Sequence, residues 1–117
     1  MDEIRILKKP ITRFELKTVA KERFGDLAKA AVDIEQEIMA VGGELHSDEE
    51  TLLIEKENSK PEFIWGINLY PEKPENEFIE YNSMINLKPA FKNRSRGVDD
   101  PAIREKIAAV VLKLVKL

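Results

Sequence analysis

A chain of 117 residues with 43% hydrophobic and 35% charged content predicts one folded domain, 1–117, and excludes both a disordered chain and two ordinary domains. The absence of cysteine excludes disulfides, thiolate metal ligands and thiol nucleophiles. A net charge of −3 disfavours nucleic acid as a partner, and no apolar run approaches the ~20 residues needed to cross a bilayer.

Residues 4–7 read as a short strand ended by Lys8, Lys9 and Pro10. Thr12 and Glu15 then form a capping box, with Ile11 and Leu16 in the flanking staple positions. Leu16, Val19, Ala20 and Phe24 share a face, and Gly25 suits a C-terminal cap, so a helix over 13–24 is expected. Residues 27–41 fit a helical stripe through Leu27, Ala31, Ile34, Ile38 and Val41. They also alternate as a strand around Ala30, Val32 and Ile34, and a hairpin turning near Glu35 and Gln36 is the preferred reading. Residues 51–57 and 62–70 read as strands separated by Asn58–Pro61. A rival helix beginning at Asp48 would use the Ser47–Glu50 capping box. Pro71 and Pro74 bracket a turn, and a further strand is expected over 78–87. The last element is a helix that Asp100 caps and Pro101 opens, with an apolar stripe through Ile103, Ile107, Val110, Leu114 and Leu117. Together these predict an α+β domain in two layers, an antiparallel β-meander of about four to six strands packed against N- and C-terminal helices.

The chemistry-bearing residues fall in two stretches. Gly42 to Asp48 holds the only histidine, and on a strand Glu44, His46 and Asp48 would point the same way, with a carboxylate on either side of the imidazole. Such a set would do general acid–base work. The bland alternative is a surface histidine beside a turn. A metal reading adds Glu49 or Glu50, but one histidine is thin for zinc, and an acidic run is more often a solvated face. No metal site is therefore predicted, and no cofactor can be named.

The second stretch, Asn93, Arg94, Ser95, Arg96 and Gly97, precedes a helix and suits a small anionic ligand. Two alternatives stand beside that: Asp99 and Asp100 would use the same donors, or Arg94 and Arg96 would pair with the acidic 44–57 segment. Acids crowd 44–57 while Lys88, Lys92, Arg94 and Arg96 crowd 88–96, so the molecule is expected to be bipolar. Trp65, Tyr70 and Tyr81 are assigned to packing rather than to base stacking. Gly66 would mark a bulge or a close backbone approach. Asn68, Asn82 and Asn86 would line a pocket or face solvent at sheet edges.

GGELHSDEE (42–50), WGINLYP (65–71), SMINLKP (83–89) and NRSRGVDDP (93–101) resemble the signature segments of a small prokaryotic domain family of unknown function. The resemblance implies a stand-alone bacterial or archaeal protein and no particular reaction, so it assigns no catalytic residue. The charged start MDEIR lacks an apolar signal segment, and the missing cysteines fit a reducing cytoplasm. Abundant Lys and Glu lean toward a thermophilic source. The functional expectation is a polar cleft bringing His46, Glu44 and Asp48 toward Arg94 and Arg96, with hydrolase- or transferase-like chemistry on an anion. The alternative is a binding or assembly module, a homo-oligomer among them, that uses the basic 88–96 patch or a sheet edge.

Overall fold

The computed structural model describes residues 3–117. Strand β1 (Arg5–Leu7) leads through β2 (Ile11–Thr12) into helix α1 (Arg13–Lys21). The capping box forms as expected: Thr12 accepts from the Glu15 backbone N–H, and Glu15 accepts from the Thr12 N–H at 2.9 Å. The helix ends earlier than its apolar stripe suggests, and residues 22–24 close as a turn against Thr18 and Ala20.

Residues 27–41 form the preferred hairpin, β3 (Ala28–Asp33) with β4 (Ile38–Val41). Its turn is organised by Asp33, whose Oδ1 accepts the backbone N–H groups of Glu35 and Gln36. The segment after it corrects the sequence reading: residues 51–57 are helical, within α2 (His46–Glu57). It is the rival helix of the Ser47–Glu50 box, with two departures. It begins two residues before the Ser47–Glu50 box would start it, with Leu45 as an N-cap lacking a side-chain bond. Its buried face is His46, Glu49 and Leu53, so the i, i+3, i+7 spacing is present but only one of the three is apolar. Asn58 ends it in the left-handed region, at φ 56°.

Next come β5 (Ile64–Leu69) and β6 (Ile79–Glu80). The strand expected over 78–87 is thus reduced to two residues, followed by a 3-10 turn over Met84–Asn86. Helix α3 (Pro101–Leu114) is capped by Asp100, which accepts from Ala102 N–H at 2.9 Å. Strand β7 (Val115–Lys116) pairs in parallel with β2.

The main sheet has the order β1-β4-β3-β5-β6, and every neighbouring pair is antiparallel. One face carries Ala30, Val32, Met39, Val41, Trp65, Ile67 and Leu69 against Leu16 and Val19 of α1 and Ile107, Val111 and Leu114 of α3. This is the α+β architecture that the flanking helices predict. The other face is covered as well, by Leu53 of α2 and Ile85 over Ala31, Ala40, Ile38 and Ile64. Small side chains let those layers close. A Cβ on Gly66 would stand 2.5 Å from Ser83, so only glycine admits the 3-10 turn here. Asn86 completes the contact: its side-chain amide accepts from Gly66 N–H and donates to Gly66 C=O, standing in for a neighbouring strand. Among the described residues no helix is long and apolar enough to cross a membrane.

Candidate functional site

Because β4 and β5 are each antiparallel to β3, they run parallel to one another, and α2 is the crossover between them. Their carboxyl ends and the start of α2 therefore meet at one end of the sheet, the place where such units put ligand-contacting groups. One row of the sheet crosses that end. Lys29 of β3 lies opposite Asn68 of β5, which lies opposite Glu80 of β6, and register partners face the same side. His46, the first residue of α2, comes down onto this row.

The imidazole is 8% exposed, and its Nε2 is 2.8 Å from the carbonyl oxygen of Ile67. A carbonyl only accepts, so Nε2 carries the hydrogen, and in the neutral ring Nδ1 keeps the lone pair. Burial pushes the ring pKa below its ordinary value, the hydrogen bonds to Ile67 and Asn68 oppose this, and the charges of Lys29 and Arg96 add to the lowering. The ring is thus neutral at neutral pH, a base with two cations in electrostatic range.

Asn68 is the hinge of the row. Its Nδ2 donates to Glu80 Oε1 at 2.8 Å, and Tyr70 OH donates to the same oxygen at 2.9 Å. Its Oδ1 is buried, and the Asn68 side chain favours the protonated ring, as an amide oxygen turned to the imidazole does. One turn along α2, Glu49 is fully buried. Its Oε2 accepts from Gly43 N–H at 2.9 Å and its Oε1 has no partner. Burial lifts the Glu49 pKa well above the ordinary carboxylate value, against the Gly43 hydrogen bond and the Lys29 charge. A Cβ on Gly43 would fall 2.9 Å from Glu49 Cγ, so the glycine and the acid are fitted to one another.

The sequence-derived candidates are dispersed by this geometry. Glu44 and Asp48 are both exposed while His46 is buried. The shared face expected for 44, 46 and 48 belongs to a strand. Glu44 precedes α2, His46 and Asp48 within the helix point roughly 200° from one another, and the ring instead meets Ile67 and Asn68. In the second stretch Asn93 is buried and structural: Nδ2 donates to the carbonyls of Asn86 and Gly97, and Oδ1 accepts from Asp99 N–H. Asp99 in turn takes Arg94 N–H at 3.1 Å and Ser95 OH at 2.5 Å, so these donors are engaged within the loop. Arg96 is exposed and acts on the imidazole through its charge. Lys88 leaves the basic patch: its ammonium donates to the carbonyls of Pro61 and Ile85 and lies 5.0 Å from the centre of the Trp65 ring.

Sequence reasoning had no route to Lys29 and Glu80, since only strand register sets them beside Asn68. Among the described residues no group of three or more His, Asp or Glu could hold a metal ion. A hollow of ≈590 Å³ between β1 and α1, with Arg5, Phe14 and Glu22 among its lining, contains no imidazole. The row at the sheet end is the better candidate, because it joins a buried base to two cations.

Residues 5–114 match a family model described as a protein of unknown function (DUF5674). No curated protein and no solved structure matches the chain.

Proposed function

We propose, for a chain that belongs to the DUF5674 family of proteins of unknown function, that the sheet end around His46 binds a small oxyanion and carries out hydrolase- or transferase-like chemistry on it. The observation that carries this reading is the fixed imidazole: Nε2–H is committed to Ile67 O, which leaves Nδ1 as the basic nitrogen beside Lys29 and Arg96. The cations and the N-terminal end of the α2 dipole favour negative charge on the ligand. The fitting ligand is a small oxyanion, such as a phosphate monoester or a hydroxy acid. In the reaction, Nδ1 would take the proton of an attacking water or hydroxyl, and Lys29 and Arg96 would hold the negative charge that develops. Glu80, bonded to Asn68, positions the amide rather than touching the ligand.

Calorimetric titration with inorganic phosphate and simple hydroxy acids tests binding. Replacing Lys29 or Arg96 by Ala should weaken it about 10- to 100-fold each, the usual size of a lost charged hydrogen bond (~1.5–3 kcal/mol). With a phosphate or carboxylate ester, His46→Gln should keep binding and lose turnover. Binding that is absent, or is indifferent to both cation variants, ends this reading.

A further inference from the structure

The face built by α2 and the 84–96 segment carries five of the nine large apolar side chains exposed among the described residues: Leu45, Ile54, Met84, Leu87 and Phe91. The other four are spread over α1, the turn after it, α3 and the C-terminus. Leu87 and Phe91 line one groove with Glu50 of α2, and Ile54 stands one turn further along that helix; exposed apolar side chains gathered in this way mark a contact site rather than ordinary surface. The groove, of ≈380 Å³, is lined by Glu50 of α2, by Glu62 and by Leu87, Pro89 and Phe91 of the segment.

Charge is divided along the same line. The outer side of α2 presents Asp48 and Glu55, while Lys92 and Arg94 are exposed beyond the groove. Acids on one flank, bases on the other and apolar side chains between them make a surface complementary to itself after a half-turn. That is the requirement for a twofold interface, in which one patch meets its own copy.

We propose that a second copy of this chain docks on this face, its Lys92 and Arg94 against Asp48 and Glu55 of the first, with Leu87 and Phe91 closing the centre. The inference is independent of the His46 reading and uses none of the groups proposed there.

Sedimentation of the full chain over a range of concentrations tests it. The wild type is expected to form a dimer whose dissociation constant rises with salt. Reversing the bases (Lys92→Glu with Arg94→Glu) should raise that constant at least tenfold, and reversing the acids (Asp48→Lys with Glu55→Lys) should do the same. Mixing the two reversed chains should restore the dimer, which a folding defect could not do; circular dichroism of each alone checks the fold. A wild type that stays monomeric at low salt, a dimer untouched by both reversals, or reversed chains that fail to associate when mixed would each overturn the proposal.

Discussion

Single residues decide how closely the layers of this protein approach. Gly66 is the clearest instance, because a methyl group there would meet Ser83 at 2.5 Å on a turn already tied down by Asn86. Gly66→Ala is expected to destabilise the fold by about 1–3 kcal/mol, the usual cost of overpacking a closed site, and urea denaturation measures it. Glu49 sets a pH dependence. Its carboxyl holds a proton more tightly in the folded chain than at the ordinary value of 4.5, so its contribution is fully present below that value. That contribution declines as pH rises from there through the elevated folded pKa. A Gln in its place keeps an oxygen for Gly43 N–H and has no proton to lose. Denaturation of Glu49→Gln and wild type across this range should show the variant gaining on the wild type as pH rises. Parallel curves would place Glu49 in a less buried setting than the one described.

At the scale of elements, the bottom of the sheet is fastened by one carboxylate. Asp33 accepts from the N–H groups of Glu35 and Gln36, from Gln36 Nε2 at 2.9 Å and from Ser59 OH at 2.6 Å, so the β3–β4 turn is tied to the exit of α2. Asp33→Ala strands those donors and should cost about 2–4 kcal/mol in thermal or chemical unfolding, at the upper end for one buried side chain. The elements that could be read from the residues were those with local signals: the capping box of α1, the Asp100–Pro101 start of α3, the apolar alternation of β3 and the aromatic and branched run of β5 between turn-rich segments. Helix α2 was legible in part, since the Ser47–Glu50 capping box offered a start at Asp48 against the preferred strand over 51–57; the side chains it buries include an imidazole and a carboxylate, which a pattern of apolar spacing passes over. The candidate site was half legible for the same reason. His46 stood out as the only histidine, but its neighbours Lys29, Asn68 and Glu80 come from three strands, and their meeting is a matter of register that no local spacing carries. Glu44 and Asp48 were attached to it through a strand geometry that the helix replaces.

At the scale of the whole molecule, charge and topology converge on one end of the sheet. The β4–α2–β5 crossover delivers a helix start over two strand ends, and the 93–99 loop, held by Asn93 and Asp99, brings Arg96 to the same place. The chain is acidic overall, yet the buried base sits among positive groups, which is the condition for attracting an anion to one spot on an acidic surface. The single histidine makes this condition directly observable, since its imidazole resonances have no competitors in a nitrogen–proton correlation spectrum. The measurement is the pKa of His46 in phosphate against chloride at equal ionic strength. An anion seated beside the ring stabilises the imidazolium, so a value below 6.5 is expected in chloride and a higher one in phosphate. Superimposable titration curves in the two salts would contradict it.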